Sequence, residues 1–397
     1  MATTDFSNGT VIETAWLNDV DEAVYTDLPA VETKLTNVTT ISAAAATLLD
    51  DTTSADMRGT LGAAQYPTNS DITSLAAITT INSGPLAGMR NRIINGDFRI
   101  NQRGNSGAAA TLAYLSDRWY TTSTGTAPTY VASTTASIPG YLETGALTLN
   151  GHASNTLVRA WQKIEADNCR DMAGQTVTLS YWCYQDTGAA VTCTSSLYYP
   201  TVRDDFTTNT LISASAGTSV PNAAWTRVTS TFTVSNAAIT GLLAGMWTNG
   251  DAILGSKQLA FANVQLELGS VATTFEQRPE GLELALCQRY YEKSYAAASN
   301  PGTAEYHGAQ YAQRSEADGT EPFGTRFTTR KRAAPTIVIY SPSTGDSGKV
   351  RSSGSGGSAA ADLTATLGTS SDTAFSFSAT VVVDCSHSWH YTASAEL

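Results

Sequence analysis

Charge is scarce in this sequence, and positive charge scarcer still. Of 397 residues, 23 are Lys or Arg and 35 are Asp or Glu, so ionisable side chains make up 15% of the chain and the formal net charge is -12. Soluble proteins carry roughly 25%. Binding to a phosphate backbone relies on clustered cations that release counterions, so nucleic acid is not an expected partner. The one dense basic stretch, with Arg326, Arg330, Lys331 and Arg332, runs into Thr336–Tyr340 and reads as a solvated strand end. No run approaches about 18 apolar residues, so membrane insertion is not expected. Residues 1–10 contain neither the basic nor the apolar block of a secretory leader.

The five cysteines, Cys169, Cys183, Cys193, Cys287 and Cys385, are odd in number and include no C-x-x-C pair, so buried free thiols are expected. Cys183 and Cys193 flank an expected hairpin turn at 185–190 and could face each other across its ladder; a disulfide there is not favoured if assembly is cytoplasmic. Also missing are a Gly-rich phosphate loop, a nucleophile elbow, an H-E-x-x-H helix and any β-helix repeat. A glycosidase needs only two carboxylates at a set separation, which 35 acidic residues could supply, but the pair Asp204 and Asp205 reads as a solvated turn. The expectation is a protein that is not an enzyme.

What the sequence does contain begins with Leu17, Val24, Leu28, Val31, Leu35 and Val38, spaced as the a/d seam of a coiled coil. Pro29 interrupts it, so two short helices are expected rather than one rod. Helices this short are marginal alone in water, and further copies of the same segment would cover the seam. Residues 41–88 turn to Ala, Thr, Ser and Asp with Gly and Pro breaks, the composition of a jointed stem.

From Met89 the period becomes two. Thr176 to Tyr184, Thr226 to Val234 and Asn263 to Leu268 alternate between Gly, Asn and Pro turns, which predicts an antiparallel β-sandwich over 89–279. Leu282, Ala285, Leu286, Arg289, Tyr290 and Lys293 then fall at helical spacing, so a short helix is expected before a C-terminal β-domain, 280–397, that closes on a strand at 389–393. The fold class is therefore mainly β. It has four parts: 1–40 with the helical seam, 41–88, 89–279 and 280–397.

The opening Phe6-Ser7-Asn8-Gly9-Thr10-Val11-Ile12, then Trp16-Leu17-Asn18-Asp19-Val20, Leu48-Leu49-Asp50-Asp51 and Arg58-Gly59-Thr60-Leu61-Gly62, resembles the N-terminal part of tail fibres of tailed bacteriophages. Asn91 to Phe98, Asp117-Arg118-Trp119-Tyr120 and Val264 to Ser270 resemble a β-module of phage tail proteins, itself similar to carbohydrate-binding jelly rolls. The resemblance implies a homotrimeric fibre of the virion, assembled in the host cytoplasm. Its N-terminus would dock on the tail or baseplate, and its distal domains would bind a host-surface glycan. An adaptor carrying another receptor-binding protein, or a capsular polysaccharide depolymerase, is the alternative.

Sugar recognition by a sandwich uses aromatic rings against the apolar side of a pyranose. Trp182 and Tyr184, with Trp119 and Tyr120, are the leading candidates; Trp161, Tyr198 and Tyr199 are others. Strand parity puts Trp182 and Tyr184 opposite Val177, Leu179, Tyr181 and Cys183, a face apolar enough to be core without them. Asn95, Asp97 and Glu267 could gather oxygen ligands for a structural calcium if the first and last strands of the module pair. Cys385, His387 and His390 cannot all face one way on a strand, which disfavours zinc.

Overall fold

The computed structural model describes residues 89–397 except 105, 109–113, 153, 156, 249–256, 314–318, 354–359 and 382–384, together with a hairpin of Thr80–Ile81 and Gly84–Pro85. The seam residues Leu17, Val24, Leu28, Val31, Leu35 and Val38 lie outside the described residues, as does most of the expected stem. Thr79–Leu397 is one compact unit, and none of its described helices is long and apolar enough to cross a membrane.

The unit is mainly β, and its ladders are antiparallel. In chain order the first strands are β1 (Ser106–Ala108), β2 (Tyr114–Ser116), β3 (Trp119–Thr124), β4 (Thr129–Ile138), β5 (Tyr141–Asn150), β6 (Leu157–Ile164) and β7 (Thr176–Gln185). They continue with β8 (Val191–Val202), β9 (Asp205–Ala214), β10 (Thr218–Val220), β11 (Thr226–Thr233), β12 (Leu242–Thr248) and β13 (Gln258–Leu268). Sheet I has six strands in the order β11-β7-β13-β5-β4-β1; sheet II has seven, β9-β8-β12-β6-β3-β2 with β10 also on β8.

Alternation decides what lies between the sheets. Val177, Leu179, Tyr181 and Cys183 of β7 point inward with Val228 and Phe232 of β11, meeting Leu197, Leu242 and Met246 from sheet II. Each such side chain taken fully from water contributes roughly 1.5–3 kcal/mol. One polar bridge crosses this core: the Tyr181 hydroxyl lies 3.1 Å from Ser195 Oγ and 3.3 Å from Cys193 Sγ, and Ser230 Oγ donates to Ser195 Oγ at 3.0 Å.

The expected hairpin at 185–190 is instead a crossover, since β7 belongs to sheet I and β8 to sheet II. The buried Gln185 organises it, donating to the carbonyls of Ala189 (2.8 Å) and Val220 (3.0 Å) and accepting from Thr187 N (2.8 Å). Cys183 and Cys193 thus face each other across the sandwich rather than across a ladder, and all five cysteines are free and buried.

A helix, Glu280–Gln288, follows the sandwich, shorter than the spacing through Lys293 predicts. It buries Glu283 and Cys287 while Leu282 is 42% exposed, because the Glu283 carboxylate pairs with Arg278 (3.1 Å) and accepts from Asn95 N. Residues beyond it leave the helix to form β14 (Tyr291–Lys293), which pairs with the last strand. The remaining strands are β15 (Gln310–Gln313), β16 (Gly319–Arg326), β17 (Thr336–Tyr340), β18 (Lys349–Ser353), β19 (Ala361–Thr364), β20 (Thr366–Ser370), β21 (Ala374–Val381) and β22 (Ser386–Ser394). The strand expected to close this region is its organiser: β14, β15, β17 and β18 all pair with β22. A second sheet, β16-β21-β20, packs Phe323, Phe375 and Phe377 against Trp389 and Tyr391 of β22.

The basic stretch expected to be a solvated strand end divides: Arg326 and Arg330 are exposed, but Lys331 and Arg332 turn inward. Lys331 is 1% exposed, with Nζ 2.6 Å from Glu292, and Arg332 lies 3.2 Å from Glu165. Desolvating a cation demands a carboxylate nearby, and long-range contacts supply one to each.

Candidate functional site

The two outer faces of the sandwich carry the aromatic residues, and they differ. On sheet I the ladder sets Arg227, Trp182 and Ala262 side by side across β11, β7 and β13; the adjoining row is Tyr184, Ala260 and Thr148. Ala260, Ala262 and Ala146 form a floor of small side chains, and the half-buried rings of Trp182, Tyr141 and Trp225 pack on it. Trp225 stands just before β11, its ring 5.5 Å from that of Tyr184. The other half of this face is covered. Thr178 Oγ1 donates to Gly269 O (2.8 Å), Arg227 to Thr273 O, and Phe275 N to the Tyr141 hydroxyl (3.0 Å), so the segment after β13 bounds the open aromatic area.

A β-bulge interrupts β13 between Ala262 and Gln265. Asn263 sits there with φ 49°, in the left-handed region that Asn tolerates. Its side chain is 3% exposed; Oδ1 meets Thr144 Oγ1 at 2.6 Å, and Nδ2 has no protein partner among the described residues. A buried amide with one end unpaired costs about 1–3 kcal/mol.

The strand parity of Trp182 and Tyr184 agrees with the structure, and the same parity read backward from Val228 would have placed Trp225 on their face. Tyr141 and Asn263 carried no such signal, because bulges set their orientation. Trp119 is a correction. It is fully buried, stacks on Phe98 at 5.0 Å and donates its indole N–H to Asn95 O (2.8 Å), so no sugar can reach it. Tyr120, 6% exposed, joins Trp161 and the half-buried Tyr198 and Trp247 on the outer face of sheet II, while Tyr199 packs against the main core.

The calcium ligand set is a second correction. Asn95 Oδ1 accepts from Ile100 N (2.9 Å), and Nδ2 donates to Ile100 O, Ser116 Oγ and Asp117 O. Asp97 pairs with Arg99, and Glu267 takes Thr273 N (2.9 Å), Thr273 Oγ1 (2.6 Å) and Arg90 Nε (3.1 Å). Protein donors occupy these oxygens, so the three residues are structural. Gly96 explains their motif: a Cβ there would lie 2.1 Å from Val264 O, so only glycine lets the Asn91 to Phe98 segment close on the bulged β13. His390 is likewise structural, stacked on Tyr295 at 3.7 Å with its ring nitrogens near Ser294 Oγ and Glu305 O. Among the described residues no group of three His, Cys, Asp or Glu side chains could hold a metal ion.

No family model matches the chain, and no curated protein does. Among solved structures, it is similar to the enzymatically active domain of bacteriophage CBA120 tailspike protein 4, at 14% identity over 45% of this chain and 21% of that one, with a TM-score of 0.31. It is also similar to the CBM22-1 xylan-binding domain of Paenibacillus barcinonensis Xyn10C (14% identity, 43% of this chain, 99% of that one, TM-score 0.27). A third is the C-terminal family 22 carbohydrate binding module of Clostridium thermocellum Xyn10B (14% identity, 44% and 98%, TM-score 0.29). The match spans about a fifth of the tailspike chain.

Proposed function

We propose that this chain is a non-catalytic, tail-fibre-type protein of a bacteriophage virion that attaches to a host-surface glycan through the open aromatic face of sheet I. The observation that carries the glycan reading is the grouping of Trp182, Tyr184, Trp225 and Tyr141 around an alanine floor on the outer face of sheet I. Rings on a flat floor suit the apolar side of a pyranose. The order of tail-fibre-like motifs along the N-terminal part supports the virion setting. Such an open face binds weakly, and copies joined by the Leu17 to Val38 seam into a homotrimer would gain by avidity.

The test is binding of the full chain to intact bacteria and to envelope-glycan arrays. Trp182→Ala and Trp225→Ala are each expected to weaken binding about tenfold, since ring stacking and its buried area go together. Unchanged binding in both variants would remove the face from the account. Light scattering is expected to give three times the chain mass, falling to one on removal of residues 1–40. Release of new reducing ends from host polysaccharide would favour the depolymerase alternative.

A further inference from the structure

The outer face of sheet II is built differently, around one row of four strands in register: Ser196 on β8, Gly245 on β12, Trp161 on β6 and Tyr120 on β3. A Cβ on Gly245 would fall 2.1 Å from a ring atom of Trp161, so the indole lies across the glycine, flat on the sheet. Its N–H donates to Thr122 Oγ1 at 2.9 Å, which fixes the ring in that pose. Half-buried Tyr198 and Trp247 flank it, at 5.7 and 6.0 Å between ring centres.

The next row brings Arg159 beside Trp247. The guanidinium sits 5.1 Å from the Trp247 ring and 6.0 Å from the Trp161 ring. Arg103, Arg118, Arg289 and Arg332 each have a carboxylate within reach, but Arg159 has none among the described residues, and its Nε is buried without a partner. In a chain with twelve more acidic than basic residues, 35 against 23, a half-buried cation left without a carboxylate is notable.

We propose that this face is a second binding site, distinct from the one on sheet I, and that its ligand is an anionic saccharide. The sugar ring would lie against Trp247 and Tyr198, and its carboxylate or phosphate would take the planar fork of Arg159. A guanidinium held over an aromatic ring keeps its in-plane donors free for a two-oxygen acceptor. Sheet I offers no equivalent, because Arg227 bonds to the Thr273 carbonyl.

Calorimetric titration of the full chain tests this with three probes: hexagalacturonate for carboxylate, mannose 6-phosphate for phosphate, and neutral xylohexaose. At least one anionic probe is expected to bind with an affinity that falls as salt rises. Arg159→Gln is expected to weaken that binding about tenfold, Arg159→Lys to weaken it less, and Trp182→Ala to leave it unchanged. Arg159 has no carboxylate partner among the described residues, so the substitution should leave the thermal midpoint in place; Trp247→Ala provides a second variant with the same expected loss. The proposal is overturned if neither anionic probe binds, if Arg159→Gln and Trp247→Ala bind like the parent, or if Trp182→Ala alone abolishes binding. Loss of neutral-glycan binding in Trp182→Ala speaks only to sheet I, so the two sites succeed or fail separately.

Discussion

Asp117 is completely buried, accepting from Gln102 N at 2.6 Å and Gln102 Nε2 at 3.2 Å. Burial pushes its carboxyl up to about 6, against the pull of Arg103 and the Gln102 bonds. An unfolded Asp loses its proton near 3.9, so between about 4 and 6 the folded state holds a proton that the unfolded state has released. The sign follows: this group's contribution to stability falls as pH rises through that window, by up to ~3 kcal/mol, and is flat above it. In Asp117→Asn this pH dependence should vanish, so the gap between parent and variant melting temperatures should change from pH 4 to 6 and hold steady above 6.5. A constant gap would mean the carboxylate is fully compensated. Trp119→Phe retains the contact with Phe98 but leaves the Asn95 carbonyl without its indole donor. A loss of about 1–3 kcal/mol in urea unfolding is expected, with glycan binding intact, the reverse of Trp182→Ala. Local sequence treated these two tryptophans unequally. Parity sets Trp182 opposite an apolar face, but the strand Trp119–Thr124 has no alternating apolar face to choose a side, so only packing makes Trp119 core.

At the scale of the element, the buried side chain of Lys331 ties the connection between β16 and β17 to its surroundings. Lys331 Nζ donates to Gln288 O at the end of the helix (2.7 Å), to Thr329 O (2.7 Å) and to Glu292 on β14 (2.6 Å). Burial pushes the Glu292 carboxyl up, but Lys331, Thr328 N–H and the Tyr391 hydroxyl outweigh it and hold the group below its ordinary range. Lys331→Met strands that carboxylate. It should cost about 3–5 kcal/mol by chemical denaturation, and adding Glu292→Gln should recover part of the loss. A loss under 1 kcal/mol would show that water replaces the ammonium. The basic run misled because composition describes an average environment, whereas the partner of Lys331 lies 39 residues away. The helix misled similarly: its apolar periodicity favoured Leu282, yet the Arg278 and Asn95 contacts turned Glu283 inward.

At the scale of the whole molecule, the sandwich and the C-terminal sheets are joined by charges that neither buries alone. Arg118, 1% exposed, stacks 3.4 Å from the centre of the Tyr290 ring and pairs with Glu396, which also binds Arg103 at 2.7 Å. Glu396→Gln keeps the shape but removes the charge facing two arginines. Calorimetry should show a melting temperature lowered by several degrees, consistent with a few kcal/mol, and a broadened or divided transition. A single sharp transition at the parent temperature would show that Tyr290 and the Lys163 carbonyl suffice for Arg118.

The amino-acid sequence determined by itself that the chain from Met89 onward is mainly β, and that Val177, Leu179, Tyr181 and Cys183 face inward with Trp182 and Tyr184 opposite. Parity along a strand is local, and the hydrophobic effect needs only one apolar face to choose a side. Tertiary structure alone decided that residues 185–190 cross between sheets, that Trp225 and Tyr141 join Trp182, and that a bulge turns Asn263 onto Thr144. Which strands become neighbours, and in what register, depends on contacts between distant residues that no local period records.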